Sequence, residues 1–145
     1  SMGRKSIVIA ADHGGFRLKS ILKEELSSLG YDVLDLGTDG PESVDYPDFA
    51  NALAHEVLKD KSVKGVLICG SGIGMSITVN RHSGIRAALC HDAVTARLSR
   101  QHNDANVLVL GERIIGEEVA KDCLRVFLAT EFEDGRHARR VAKMG

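Results

Sequence analysis

Gly65-Val66-Leu67-Ile68-Cys69-Gly70-Ser71-Gly72-Ile73-Gly74-Met75-Ser76 is the stretch on which the fold turns. Residues Gly65 to Cys69 are short, apolar and without polar alternation, the pattern of a strand buried on both faces. Gly70 to Gly74 is a loop with a glycine at every second position, and Met75 to Asn80 begins a short helix. Such a loop lets a ligand approach the backbone, and its N–H groups, with those of the helix start, can hold an oxyanion. It is not G-x-G-x-x-G, because Met75 stands at the third glycine position, nor G-x-x-x-x-G-K-[ST], because no lysine follows. Both departures argue against a dinucleotide or a nucleoside triphosphate.

The same strand, loop, helix succession extends outward in both directions. Ser6 to Ala11 is an apolar strand stopping at Asp12-His13-Gly14-Gly15, and Phe16, Leu18, Ile21, Leu22, Leu26 and Leu29 recur at helical spacing up to the stop at Gly30. Asp32 to Leu36 reads as a strand and Pro47 to Leu58 as a helix with proline in its first turn. Beyond the glycine loop come a strand at Ile85 to Cys90, a helix at Ala93 to Ser99, a strand at Val107 to Leu110, a helix at Glu117 to Ala129 and a polar helical segment from about Gly135 to Lys143. This alternation predicts an α/β fold: a single doubly wound, Rossmann-like domain over residues 1–145, with a five-stranded parallel sheet and helices on both faces. Ser1 to Gly3 read as an artificial remnant or a frayed start and carry no structural weight. Ligands in such sheets sit beyond the carboxyl ends of the strands. That selects Asp12 to Gly15, Gly70 to Gly74, His91-Asp92 and Gly111 to Arg113.

Composition narrows the function. With 43% hydrophobic and 27% charged residues the chain is of the soluble globular kind, and it needs no lipid. A formal net charge of -1 gives no basic field for nucleic acid. The one dense positive tract, Arg136, His137, Arg139 and Arg140, suits a single phosphate. Cys69, Cys90 and Cys123 are odd in number, widely spaced and without a C-x-x-C pair or a preceding secretory signal, so the expected setting is reducing and cytoplasmic. The six histidines are scattered, which makes zinc unpromising, and no metal or other cofactor is expected.

Each candidate residue also has an ordinary structural reading. Cys69 adjoins the anion cradle, where a thiol near a helix N-terminus can act as base or nucleophile, yet a cysteine ending a core strand is commonly a small buried hydrophobe. Asp12-His13 offers acid/base or hydroxyl contacts, or Asp12 is a helix cap. His102-Asn103 precedes the fifth strand and so lies at its amino end, the wrong end for a site within one chain, where a solvated turn is the plain reading. Arg136 and Arg140, four apart, share a helix face and can grip one phosphate, or form a solvated tail. Cys90 and Cys123 read as core, and His55 and His82 as surface or satisfied structural residues.

Taken together, Ala11-Asp12-His13-Gly14-Gly15-Phe16, Asp45-Tyr46-Pro47, the Cys69 to Ser76 loop, Gly84-Ile85-Arg86-Ala87, Leu98-Ser99-Arg100-Gln101-His102-Asn103, Gly111-Glu112-Arg113 and Gly135-Arg136-His137 resemble the type B ribose-5-phosphate isomerase family, which includes galactose-6-phosphate isomerase subunits. The resemblance covers nearly the whole chain. It implies a homodimer, sometimes paired into a tetramer, with the active site between subunits, a sugar phosphate as the small-molecule partner, and no metal or redox cofactor. By position, Cys69 would move the proton between C1 and C2, and His102 of the neighbouring subunit would help open the sugar ring. Asp12, His13 and Tyr46 would contact the sugar and Asn103 a hydroxyl. Gly70, Gly72, Ile73 and Gly74 would hold the enediolate oxygen, with Ser71 as side-chain donor. Arg113, Arg136 and Arg140 would bind the phosphate, assisted by His13 and His137. Some members use a glutamate in the glycine-loop region instead of the cysteine; here that neighbourhood offers Met75.

The implied reaction interconverts ribose 5-phosphate and ribulose 5-phosphate through a cis-enediolate, in the non-oxidative pentose phosphate pathway. An ordinary thiol, with a pKa of about 8.5, would be only a few per cent thiolate at neutral pH, so some lowering by the loop and helix terminus is expected. A hexose 6-phosphate (allose or galactose) substrate, a non-catalytic phosphosugar-binding module and a cysteine hydrolase stay open as alternatives.

Overall fold

The computed structural model describes residues 5–145, so the expectation for Ser1 to Gly3 lies outside the described residues. Five parallel strands, β1 (Ser6–Ala11), β2 (Asp32–Asp35), β3 (Lys64–Cys69), β4 (Ala87–Leu89) and β5 (Val107–Gly111), form one sheet in the order β2-β1-β3-β5-β4. Between and after them run α1 (Phe16–Ser28), α2 (Tyr46–Leu58), α3 (Ile73–Val79), α4 (Ala93–Asn103), α5 (Glu117–Ala129) and α6 (Arg136–Ala142), with a single 3₁₀ turn at His13–Gly15. The fold is the doubly wound α/β architecture that the alternation predicts.

Strand side chains point alternately to the two faces, so the all-apolar runs feed two cores. Ile7, Ile9, Val66, Ile68, Leu108 and Leu110 meet Leu22 and Leu26 of α1, Ala96 of α4 and Leu124 and Phe127 of α5. Val8, Leu67, Val107 and Val109 meet Leu53 and Val57 of α2 and Met75 and Val79 of α3. Truncating any one of these fully buried leucines to alanine should cost about 2–5 kcal/mol. β5 is buried at every residue and takes an interior place between β3 and β4, whereas the three half-buried residues of β4 form an edge.

The chain steps from β1 outward to β2, then returns to the other side of β1 for β3. The crevice at that reversal, beyond the carboxyl ends of β1 and β3, is where such sheets bind ligands. His91-Asp92 is therefore not a ligand loop of this crevice. It follows edge strand β4, and the Asp92 carboxylate instead caps α4, accepting from the Thr95 amide at 2.7 Å.

Three elements differ from the sequence reading by two residues or more. Helix α3 starts at Ile73 rather than Met75, because Gly72 adopts φ 81° and turns the chain directly into it. Helix α4 runs on to Asn103, so His102 and Asn103 lie in a helical last turn and not in a solvated turn; Asp104, at φ 48°, stops it. β4 is shorter than Ile85 to Cys90 by three residues.

Candidate active site

β1 ends at Ala11, and Asp12 follows with its side chain 7% exposed, its Oδ1 accepting from the Gly14 amide at 2.9 Å. Asp12 is thus a cap, as the plain reading has it, and it also lines a cavity of about 570 Å³ at the crevice. His13, on the same wall, accepts at Nδ1 from the Val44 amide at 3.2 Å. An accepting Nδ1 leaves the neutral ring its proton on Nε2.

Cys69 forms the floor. It is 5% exposed, packs with the α2 and α3 core, and lines the same cavity. Its Sγ accepts from the amide of Gly72 at 3.0 Å. Gly72 can make this bond because its left-handed backbone aims the N–H backward; a β-carbon there would also lie 2.5 Å from Leu89 Cδ1.

The rest of the glycine loop lines the cavity and keeps donors without a protein acceptor. The Ile73 amide is taken by Ser71 Oγ at 3.1 Å, so that hydroxyl, as an acceptor, keeps its own hydrogen free to donate. The amides of Ser71 and Gly74 have no protein acceptor among the described residues, as expected where a helix begins. The Tyr46 ring, at the start of α2, covers Gly74 so closely that a β-carbon on Gly74 would stand 2.5 Å from Tyr46 Cε1. Arg113, after β5, lies along Gly70: its amide donates to Gly70 O at 2.9 Å and its Nε is 3.4 Å from where a Gly70 β-carbon would be. The Arg113 guanidinium has no carboxylate partner among the described residues, which leaves a free cation at the cavity. Met75 points away, fully buried in the core.

The remaining candidates are elsewhere. His102 and Asn103, in the last turn of α4, and Arg136 and Arg140 on α6 lie beyond the amino end of β5, opposite the end occupied by Cys69. There His102 stacks on His137 with ring centroids 4.4 Å apart, and Glu133 Oε1 faces both rings, 3.8 Å from His102 Nε2 and 3.7 Å from His137 Nε2. Burial, with coulombic repulsion from His102 and Arg136, holds the His137 imidazole below its ordinary range, against the pull of Glu133. Within one chain the candidate residues therefore form two clusters at opposite ends of the sheet.

A family model described as Ribose/Galactose Isomerase matches residues 7–144. The chain belongs to that family. It is 44% identical over 137 residues to ribose-5-phosphate isomerase B of Escherichia coli, covering 94% of this chain and 92% of the relative. It is 43% identical over 141 residues to D-erythrulose-4-phosphate isomerase of Pectobacterium atrosepticum, covering 97% and 93%. The solved structure of Clostridium thermocellum ribose-5-phosphate isomerase B superposes with a TM-score of 0.95 at 49% identity, covering 97% of this chain and 95% of that one. A family chain on this fold, matched over nearly its full length, is a sugar-phosphate isomerase.

In this isomerase, three residues outside the candidate set shape the cavity's walls. Glu112 Oε1 accepts from the Leu18 amide at 2.7 Å, capping α1 from 94 residues away and tying the Arg113 loop to it. Lys19, 1% exposed, bonds Asp35 at 2.8 and 3.0 Å and Thr38 O at 2.6 Å. The Gly37-Thr38 segment so fixed pairs with Ala11, one residue before Asp12. Burial pushes the Asp35 carboxyl up, but the bonds from Lys19, Lys23 and the Gly37 amide outweigh it and hold the group below its usual range. A single sequence carries no sign of these partners, because Glu112 and Lys19 look like ordinary surface charges.

Proposed function

We propose that this protein interconverts ribose 5-phosphate and ribulose 5-phosphate, at active sites assembled from the Cys69 half-site of one chain and the His102 half-site of a second copy. The observation that carries the reading is the division itself. Acid/base, hydroxyl-binding and phosphate-binding groups stand at opposite ends of one sheet, and neither set alone can open, isomerise and hold a sugar phosphate. An apolar rim supports the second copy. Ile73, Ile77 and Ile114 border the Cys69 cavity and are 54, 61 and 55% exposed, a patch that a partner surface would cover.

In the proposed sequence, His102 of the partner copy gives a proton to the ring oxygen as the bond from that oxygen to C1 breaks, and the C1 hydroxyl releases its own proton to solvent, which leaves the open-chain aldehyde at C1. Cys69 Sγ takes the proton from C2, and the electron pair left behind forms the C1–C2 double bond of a cis-enediolate. Negative charge then develops on O1, where the Ser71 hydroxyl and the amides of Ser71 and Gly74 donate; one such donor commonly contributes about 2.7–4 kcal/mol. The proton returns from sulfur to C1, and O2 becomes the ketone as its own proton passes to O1. Asp12, His13, Tyr46 and Asn103 hold the hydroxyls, and Arg113, Arg136 and Arg140 the phosphate. A thiol base and three free cysteines support a reducing, cytoplasmic setting.

The family includes relatives named for a five-carbon and a four-carbon sugar phosphate at nearly equal identity, so substrate length needs a direct test. The purified protein is assayed against ribose 5-phosphate, erythrulose 4-phosphate, allose 6-phosphate and galactose 6-phosphate, beside Cys69→Ala. The expected result is highest kcat/KM on ribose 5-phosphate; a higher value on any other would reassign the substrate, and binding without turnover would make the chain a phosphosugar-binding module. Mixing Cys69→Ala with His102→Asn, each nearly inactive, should restore activity through mixed pairs with one intact site. No recovery after exchange of subunits would refute the shared site.

A further inference from the structure

We infer that Asp104, gripped by Arg100 and Arg86, is a positioning residue: it sets the last turn of α4, and with it His102 and Asn103, where the Cys69 cavity of a second copy would receive them. This role rests on the shared site proposed above. Arg86 and Arg100 stand in stretches that carry the family resemblance, yet neither has a chemical task in the proposed reaction and none of the three residues lines the Cys69 cavity.

Helix α4 ends because Asp104 turns left-handed, at φ 48° and ψ 44°. Few residues other than glycine adopt that region, and Asp and Asn are enriched among those that do. The Asp104 and Ala105 amides donate back to Arg100 O at 3.3 Å and Ser99 O at 3.0 Å, which closes the helix just after His102 and Asn103. Two guanidiniums hold the turn from outside. Arg100 Nη1 donates to Asp104 Oδ1 at 2.8 Å, while Arg86 Nε donates to Asp104 O at 2.9 Å and its Nη2 stands 3.4 Å from Oδ2.

Neither arginine is free to drift with the turn. Arg100 is 7% exposed, and a buried charge is stable only with its hydrogen-bond partners in place. Beyond Asp104 it donates to Ala105 O at 2.7 Å, at the entry of β5, and from Nε to Thr130 O at 3.1 Å, just after α5. A planar guanidinium fixes the directions of these bonds. Arg86 is fixed through its backbone, its amide donating to Asn106 Oδ1 at 2.8 Å and its carbonyl accepting from the Asn106 amide at 2.9 Å.

His102 and Asn103 therefore lie between two anchored residues, Arg100 and Asp104. The Arg100 bond to Thr130 also ties α4 to the segment leading into α6, where His137 stacks on His102 and where Arg136 and Arg140 begin the phosphate-binding face. A misplacement of 1 Å can cost about 10²-fold in rate, so a loosened turn is felt in the chemistry without any of the three side chains touching substrate.

Asp104→Asn is the test, because asparagine tolerates the left-handed turn and nearly keeps the shape while giving up the charge that both arginines grip. The full-length variant should isomerise ribose 5-phosphate with kcat lowered about ten- to hundredfold. Mixed pairs then show which half of the site has failed. After subunit exchange with Cys69→Ala, Asp104→Asn should recover as much activity as His102→Asn does with Cys69→Ala, since one site in each pair is intact. Exchanged with His102→Asn it should recover none. Arg86→Gln removes the second grip without altering the turn residue and should show the same pattern with a smaller loss, which keeps the role testable if Asp104→Asn does not fold. In NMR spectra the His102 and His137 rings should lose the mutual ring-current shift of their stack, while His55 and His82, paired with each other elsewhere, stay unmoved.

Wild-type kcat, unmoved His102 ring signals, or recovery with His102→Asn would overturn the role. So would failure with Cys69→Ala where His102→Asn succeeds, because the damage would then reach both halves. If Cys69→Ala and His102→Asn do not complement each other, the shared site falls instead, and the ring signals alone decide whether Asp104 places His102.

Discussion

The amide of Gly72 donates to Sγ of Cys69 over 3.0 Å, so the loop proposed to offer donors to a substrate oxygen also steadies the sulfur beneath it. Replacing Cys69 by alanine removes the proposed base while leaving the loop's donors in place. Cys69→Ala should lower kcat by about 10²–10⁴-fold, the usual contribution of a positioned base, with sugar-phosphate binding retained. Exchange of the C2 proton with solvent deuterium, followed by NMR, is the direct check. Normal exchange would take Cys69 out of the mechanism.

Thiol chemistry should single out the same residue. Burial raises the Cys90 thiol, and burial with the neighbouring Cys90 and Asp92 pushes Cys123 up to about 12, so neither forms thiolate near neutral pH. Iodoacetamide at pH 7.5, a value at which roughly none of a thiol with so high a pKa is ionised, should modify Cys69 alone in the native protein, and sugar phosphate should protect it. Mass spectrometry of peptides reads the outcome, and native-state labelling of Cys123 would contradict it.

Tyr46 lies against a position that tolerates no side chain. A methyl at Gly74 would stand 2.5 Å from the ring and force it out over the cavity, while the ring's solvent-facing side leaves it room to swing. Gly74→Ala should therefore raise KM several-fold, with stability within about 1 kcal/mol of wild type, because helix interiors favour alanine over glycine. Steady-state kinetics and urea unfolding together test this. A large stability loss with unchanged KM would show that the contact matters for folding alone.

The Lys19–Asp35 pair should matter more for stability than its distance from the crevice suggests. Asp35→Asn leaves the Lys19 ammonium buried without its counter-charge and should cost about 3 kcal/mol or more, the usual result of removing one partner of a buried pair. The pH dependence has a fixed sign. The folded carboxyl is held below its ordinary 3.8, so its contribution is complete above that value and is lost as pH falls through the lower folded one. Wild type should lose stability progressively below about pH 4, and Asp35→Asn should lack this component in urea unfolding measured across the acid range.

Glu112→Gln isolates the remote cap. The amide keeps an acceptor oxygen for the Leu18 N–H but gives up the charge, so a loss of about 0.5–1 kcal/mol is expected, and Glu112→Ala should lose about 1–2 kcal/mol. Thermal unfolding measures both. Equal stability in the two variants would mean that the charge alone, and not the hydrogen bond, supports α1.

The layout of elements was legible because it is local. Apolar runs without alternation at Ser6–Ala11, Lys64–Cys69 and Val107–Gly111 need cover on both faces; the helical spacing in Phe16–Ser28 and Glu117–Ala129 supplies one cover and that in Tyr46–Leu58 the other. Boundaries failed where a single backbone angle decides them: Gly72 at φ 81° starts α3 early, and Asp104 at φ 48° lets α4 run through His102. Asp12 to Gly15 and Gly70 to Gly74 were found as cavity loops because strand ends announce them. His91-Asp92 was not excluded, since nothing in the chain says that β5 inserts between β3 and β4.

By itself the sequence determined the alternation of strands and helices, the thiol and glycine loop at the end of β3, and the basic tract at the chain's end, all of which depend on residue type and short-range spacing. Only the tertiary structure decided that Cys69 and His102 fall at opposite ends of the sheet, that Glu112 caps a helix 94 residues away, and that His102, Glu133 and His137 converge. Those relationships come from strand order and from contacts between segments remote in the chain, which burial of the two cores selects and which no local pattern encodes.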